Sequence, residues 1–394
     1  MKTLRLLVVS LCLVGSNPTF ADEKKIPSPF RGDDDSANLE VTYDDLDVFL
    51  QSQVLDVGRS TREKVPRTQN TGSRIKARVN RLTALEGNRF YFKSLQDDEV
   101  SGILTTLQDS LEALPSVVPL KYLSRNEQLA YWLNLYNFTL LDEMAKASPS
   151  GSIKRLLNYG NSDSILAKKS LNVAGIPLSL DDIQFTILKE KYPQNPLVIY
   201  GLFQGNIGGP SIQPKAFTGE NVWRQLEQAA TEFVNSNRGT YYDGKVSVFY
   251  ERNFVFFDND AQKLKDHLLD FLEDEMYTEI LDADELKFAN KDWQLANLTG
   301  GTREYGGSNM INGSAILDAV RASQPNGDGG MSSVENSLGE SISEKVRLGA
   351  RFPATQLETL QRIREIQAIN AGKVVITDLD AEAAQEAIDK KEKN

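Results

Sequence analysis

Apolar residues recur at helical spacing along much of this chain, and the stretches where they do not are short. From Tyr43 to Val57, and again from Asp97 to Leu114, they fall three and four residues apart, which predicts two amphipathic helices. Between these, "LTALEGNRFYF" (Leu82 to Phe92) sets Glu86, Asn88 and Arg89 among apolar and aromatic neighbours. The strongest helical signal follows. Ser124 and Glu127 have the spacing of a capping box, in which hydroxyl and carboxylate each satisfy an orphan backbone N–H. Behind it Leu129, Trp132, Leu133, Tyr136, Leu140 and Met144 share one face at about 100° per residue. Leu135 and Phe138 lie on the other side, so the helix is expected to be covered nearly all round.

Downstream, "SLNVAGIPLSL" predicts a hairpin across Ala174-Gly175, with Pro177 near an edge. Ser179 and Asp182 form a second capping box, opening a helix through about Lys191. "NPLVIYGLF" (Asn195 to Phe203) reads as a buried strand or a short helix, which periodicity cannot separate. Glu220 to Asn237 is a further helix. In "TYYDGKVSVFY" Asp243-Gly244 supplies the positive φ angles of a hairpin turn, and Asp258 to Met276 is the next helix. Past residue 299 the chain turns polar and glycine-rich. "QPNGDGGMSS" (Gln324 to Ser333) reads as a linker, Gln356 to Ile369 as a last helix, and the Lys- and Glu-rich end as a frayed tail. There is no internal repeat and no regular βαβ alternation. The pattern predicts an α+β fold: one main domain over 41–300, several helices around short β-hairpins or a small sheet, and a flexible extension over 301–394.

The first residues add a compartment. Lys2 and Arg5 precede the apolar run Leu6 to Val14, and Thr19-Phe20-Ala21 ends in the small residues of a cleavage site. This predicts a signal peptide over 1–21, cut after Ala21, and a periplasmic or secreted protein. The apolar run is too short to span a bilayer, and Leu11 before Cys12 is not the small residue that precedes a lipidated cysteine. Residues 22–40, with "RGDDDS" at Arg31 to Ser36, are polar and predicted flexible; Arg31-Gly32-Asp33 there is an integrin-type tripeptide by chance composition.

Cleavage removes Lys2, Arg5 and the only cysteine, leaving 373 of 394 residues and taking the net charge from −11 to −13. Thiol catalysis, thiolate metal sites and redox switching are then excluded. With His267 the only histidine, multi-histidine metal sites, Cys–His dyads and a Ser–His–Asp triad are not expected either. The acidic balance argues against nucleic acid or an anionic membrane as partner. No second apolar stretch approaches membrane length.

Two motifs in order, "EQLAYWLNLYN" (Glu127 to Asn137) and "PLSLDDIQFTIL" (Pro177 to Leu188), followed by a glycine-rich stretch, resemble the bacterial domain of unknown function 547 family. The resemblance runs from about Arg125 to Leu272, and Trp132, Asn134, Tyr136 and Asn137 are its most specific part. It implies a domain type rather than a reaction. Many members carry a histidine and two cysteines around the glycine-rich stretch, which implies thiol or metal chemistry there. Ile199 stands at the histidine position and Gln204 and Gly209 at the cysteine positions, so that chemistry does not transfer.

The glycine-rich stretch itself is "VIYGLFQGNIGGPSI", Val198 to Ile212. Gly205, Gly208 and Gly209 suit close backbone approach, and its polar side chains are Gln204, Asn206 and Ser211. It lacks the basic residue and helix fingerprint of a phosphate loop, and Ser211 lacks a nucleophile elbow and a histidine base. It reads as a tight bend or as a ligand-contacting loop. Asn134 and Asn137 either tie their helix to a neighbouring backbone, the Gly205 to Gly209 bend among the candidates, or line a pocket. Glu86, Asn88 and Arg89 form either a buried ion-pair knot or a cleft wall. Asp181 and Asp182 cap a helix, Asp258-Asn259-Asp260 lacks the glycine and glutamate of a calcium loop, and His267 is a surface or half-buried histidine.

The expectation is an exported, non-catalytic domain with no cofactor, no metal and no assigned catalytic residue. It would bind an unknown small ligand or an envelope protein through Glu86, Arg89, Asn134, Asn137, Gln204, Gly205, Asn206, Gly208, Gly209 and Ser211. The alternative is a hydrolase or transferase with Glu86, Glu127 or an aspartate as acid–base group and the glycine amides as an oxyanion site.

Overall fold

A computed structural model describes residues 26–64, 80–298 and 351–372. Helix α1 (Asp44–Gln53) runs into the two-residue strand β1 (Val54–Leu55), which pairs antiparallel with β2 (Arg89–Phe90). Helix α2 (Asp98–Val117) starts on Asp97, whose carboxylate accepts the Glu99 and Val100 N–H groups. It buries Leu104, Leu107, Leu111 and Leu114, one stripe at helical spacing.

Helix α3 (Arg125–Ala147) packs against α2 and is buried from Glu127 to Met144 except at Asn137. Ser124 caps it by accepting Glu127 N–H at 3.2 Å. The expected reciprocal bond does not form. Glu127 Oε2 instead accepts Val41 N–H at 3.3 Å, because the segment before α1 crosses the helix start and brings its own donor.

That crossing corrects the expected flexibility up to residue 40. Phe30 and Leu39 are buried, Phe30 meets Trp132 edge-on at 5.0 Å, and Lys191 Nζ donates to Phe30 O at 3.0 Å. A few apolar anchors are enough to seat an otherwise polar segment. At the other end Phe352, Leu360 and Ile363 are buried and Arg351 pairs with Asp45 at 2.6 Å, so the last helix (Leu357–Gly372) is docked. The expected signal peptide (1–21) and linker (324–333) lie outside the described residues.

After α4 (Lys154–Leu157), strands β3 (Leu171–Val173) and β4 (Ile176–Leu178) form the expected hairpin, with Ala174 and Gly175 at φ 48° and 81°. The second capping box is reciprocal: Ser179 Oγ accepts Asp182 N–H at 3.1 Å, and Asp182 Oδ2 accepts Ser179 N–H at 2.8 Å. The helix it opens is wound wide, as a π-helix over Asp182–Leu188, before a short α5 (Lys189–Lys191). "NPLVIYGLF" resolves as a 3₁₀ helix over Pro196–Gly201, started by Asn195, whose side chain accepts Leu197 N–H.

Helix α6 (Val222–Val234) leads to the hairpin β5 (Thr240–Tyr241) and β6 (Lys245–Ser247), turned by Asp243 and Gly244 at φ 62° and 66°. The second arm stops early because Ser247 caps a helix, α7 (Val248–Arg252). The helix expected over Asp258 to Met276 divides into α8 (Ala261–Phe271) and α9 (Asp274–Leu281), with Asp274 at the left-handed φ of 53°. An unexpected strand, β7 (Lys287–Asn290), pairs parallel with β6. The fold is α+β, with the small sheets at the margins of one helical core. No helix among the described residues is long and apolar enough to cross a membrane.

Candidate functional site

The glycine-rich loop is clamped along one edge by an extended segment near the end of the core. Ile207 and Gly208 donate to the carbonyls of Gln294 and Asp292, both at 2.9 Å, and Ala296 N–H returns to Gly205 O at 2.8 Å. The same segment joins β2 on its far side, through Phe90 N–H to Ala296 O and Leu298 N–H to Phe90 O. This pairing explains two of the glycines. A Cβ on Gly208 would stand 2.6 and 2.7 Å from Asp292 N and O, and one on Gly205, already at φ 82°, would overlap the Met144 thioether.

Gly209 differs. A Cβ there would meet only side-chain amides, Asn206 Oδ1 at 3.1 Å and Gln204 Oε1 at 3.7 Å. It leaves a recess flanked by two carboxamides.

On one side of the loop lies a buried network of charge. Arg238 donates through Nη1 to Gly209 O at 2.8 Å, and its Nη2 pairs with Glu232. Ser211 Oγ donates to Glu232 at 3.1 Å and accepts Asn88 N–H at 3.2 Å. Glu86 accepts from Ser60 Oγ at 2.5 Å and Asn237 N–H at 3.0 Å, while its Oε2 lies 3.8 Å from Arg238 Nε without a hydrogen bond. Arg89 is fully buried, gives Nη2 to Ala84 O at 3.2 Å, and leaves Nε and Nη1 unpartnered. Burial raises the pKa of Glu86 and of Asp292 against the pull of Arg238, and pushes Arg89 down to about 10.

On the other side the Tyr159 hydroxyl donates to Gln204 Oε1, and Asn206 Nδ2 donates to Asp292 O at 3.0 Å. Gln204 Nε2 and Asn206 Oδ1 have no partner. The Tyr159 ring meets Trp293 edge-on at 5.4 Å and carries the Arg252 guanidinium 4.4 Å from its centre. Arg252 bonds Asp181 at 2.6 Å and leaves Nε unpartnered. The Tyr136 hydroxyl is also unpartnered, within electrostatic range of Arg252, Asp181 and Tyr159; burial raises the pKa of both Tyr136 and Tyr159.

The expected site residues therefore divide. Gln204, Gly205, Asn206, Gly208, Gly209 and Ser211 share the loop, with Glu86 and Arg89 tied to its charged side. Asn134 and Asn137 belong elsewhere. Asn134 exchanges bonds of 2.8 and 2.9 Å with the Phe217 backbone, and Asn137 bridges Gly201 O and Phe203 N–H at 2.8 and 3.0 Å. They fasten α3 to the segments before and after the bend. Arg238, Arg252, Glu232, Asp292 and Tyr159 were not foreseen; the only signal for Arg252 was a cation between aromatic clusters in "VFYERNFVFF".

His267 lies among Tyr200, Phe257 and Phe271, with Nε2 3.0 Å from the Tyr200 hydroxyl, and burial lowers it to about 4. A separate surface cleft of roughly 660 Å³ at the β5–β6 turn and α9 is lined by Asp243, Glu275, Glu279, Asp282, Asp284 and Glu285. No group of three metal-ligating side chains occurs among the described residues.

Residues 120–234 match the model of a family described as "Protein of unknown function, DUF547". The chain carries a DUF547 domain. No curated protein and no solved structure matches it. The DUF547 match takes in α3, the second capping box, the glycine-rich loop and α6, and it stops short of the residue near 272 to which the motif resemblance ran. Tyr136, Tyr159, Gln204 and Gly209 lie inside the matched span; Arg238, Arg252 and Asp292 lie beyond it.

Proposed function

We propose that this DUF547 protein is exported and acts as a binding domain, holding a small ligand or a segment of an envelope protein at the loop Gln204 to Ser211 without transforming it. One observation carries the reading: Gln204 Nε2 and Asn206 Oδ1, on residues 1 % and 4 % exposed, stand unpartnered around the Gly209 recess. A buried polar group without a partner costs roughly 1–3 kcal/mol, so a ligand that supplies the missing partners is favoured. Catalysis has no comparable support. The N–H groups of Ile207 and Gly208, which an oxyanion site would use, are engaged by Asp292 and Gln294 carbonyls, and Ser211 faces Glu232 and Arg238. Export rests on the basic start, the apolar run and Ala21.

The test is expression of the full chain in a Gram-negative host, followed by mass spectrometry of the periplasmic fraction. A mature mass beginning at Asp22 supports export, and a cytoplasmic protein of full mass refutes it. Under native conditions a retained mass, lost in Gln204→Leu, supports the loop as the binding site. A retained mass indifferent to Gln204→Leu and Asn206→Leu, or none at all, refutes it.

A further inference from the structure

We propose that the recess beside Gly209 receives an uncharged amide group, a peptide bond or a carboxamide, carried by the ligand; this rests on the binding reading of the loop given above. Position is the first argument. The point where a Gly209 Cβ would stand lies 3.1 Å from Asn206 Oδ1 and 3.7 Å from Gln204 Oε1, so both carboxamides border one small space. No backbone atom stands among the three nearest neighbours of that point, unlike at Gly208.

Complementarity is the second. Gln204 has free N–H donors because the Tyr159 hydroxyl fixes its oxygen, and Asn206 has a free acceptor because Asp292 O holds its nitrogen. The recess thus presents a donor and an acceptor whose orientations are set by other bonds. An amide supplies the matching pair, its carbonyl to Gln204 Nε2 and its N–H to Asn206 Oδ1. A carboxylate or phosphate has acceptors only and would set oxygen against Asn206 Oδ1. An ammonium has donors only and would oppose Gln204 Nε2.

Charge is the third. Arg252 is paired with Asp181, and Arg238 with Glu232 and Glu86. Arg89 sits in the field of Asp292, Glu86 and Glu232, so no surplus of positive charge calls for an anion. The half-buried rings of Tyr159 and Trp293 supply the apolar flank that a neutral ligand needs.

N-acetylglycinamide is the probe, titrated into the mature protein by ligand-observed NMR, with acetate and N,N-dimethylacetamide as controls. Millimolar binding is expected for so small a molecule. Gly209→Ala, which fills the recess, and Gln204→Leu should each weaken it by about tenfold or more, and dimethylacetamide, lacking an N–H, should bind correspondingly worse. The proposal is overturned if acetate binds as well as the amide, if Gly209→Ala leaves binding unchanged, or if the probe does not bind. It is equally overturned if crystals soaked in the probe show only ordered water in the recess. Should the amide fail while a mass retained from the periplasm is still lost in Gln204→Leu, the amide assignment falls and the binding reading stands. If both fail, both fall.

Discussion

Two neighbouring glycines should respond to alanine in opposite ways. At Gly208 the added Cβ would meet Asp292 N and O at 2.6 and 2.7 Å, and a backbone held on both sides cannot swing away as a side chain can. Relief requires the loop and the clamping segment to part by most of an ångström. That movement breaks Gly208 N–H to Asp292 O and disturbs Asn206 Nδ2, which shares the same acceptor. Two buried bonds lost at roughly 1–2 kcal/mol each, less up to about 1 kcal/mol gained by restricting the unfolded chain, give a destabilisation of about 2–3 kcal/mol. At Gly209 the nearest atom is a side-chain oxygen at 3.1 Å, which a small rotation relieves, so Gly209→Ala should stay within about 1 kcal/mol of the parent. Urea unfolding of the mature proteins at neutral pH measures both. Exchange rates of the Ile207 and Gly208 amides should rise in the first variant alone. The reasoning is refuted if Gly208→Ala is as stable as the parent, or if Gly209→Ala is the more damaging of the two.

Three further outcomes follow from buried charge. Arg351→Ala should cost about 3–5 kcal/mol and expose the last helix to protease, because it strands the buried Asp45 carboxylate; a variant as stable and as resistant as the parent refutes this. The single histidine signal should titrate near pH 4 in the folded protein rather than at the ordinary 6.5. A depressed base favours its neutral form in the fold, so this stability is complete above pH 6.5 and is lost as pH falls toward 4, on the order of 2 kcal/mol after allowance for partial exposure; an NMR midpoint above 6 contradicts it. Glu127 is raised by burial from 4.5 to about 7, so its stability is complete below pH 4.5 and is lost as pH rises through 7. Glu127→Gln should therefore outlast the parent at pH 8 by about 2 kcal/mol, some 3 from the avoided desolvation less 1 for the weakened bond to Val41, and match it at pH 4. Equal unfolding midpoints at pH 8 would sink it.

What could be read from the sequence was local. The Ser179–Asp182 box and the Asp243-Gly244 turn are fixed by residues within three positions of one another, and both form as their chemistry dictates. Long α3 was legible because its apolar positions cover nearly every direction. The purpose of the glycines was not, because their partner is the short stretch Asp292 to Ala296, some 86 residues away, whose sequence carries little strand signal. Arg89 was singled out, but Arg238 and Arg252 were not: a buried arginine has the same letter as an exposed one, and only the fold brings carboxylates and rings to it. Asn134 and Asn137 were read as either ties or pocket walls, and backbone groups from sequence-distant segments decide for ties.

The loop's two kinds of glycine bear on what the domain retains. The motif resemblance places cysteines at the positions of Gln204 and Gly209, and the fold sets these two positions side by side, a Gly209 Cβ reaching 3.8 Å from Gln204 Cβ. Replacing one by an amide and the other by a hydrogen removes every reactive group from that spot. It does not remove polarity: the glutamine oxygen is held by Tyr159, its nitrogen is free, and Asn206 offers the opposite sense of hydrogen bond across the same space. A core relieved of function would be expected to fill such a gap with carbon, since an apolar side chain there leaves no unsatisfied partner. On the proposed reading, the amides persist because a ligand completes them. Gly208 then serves the clamp that holds the amides in place, and Gly209 serves the space between them.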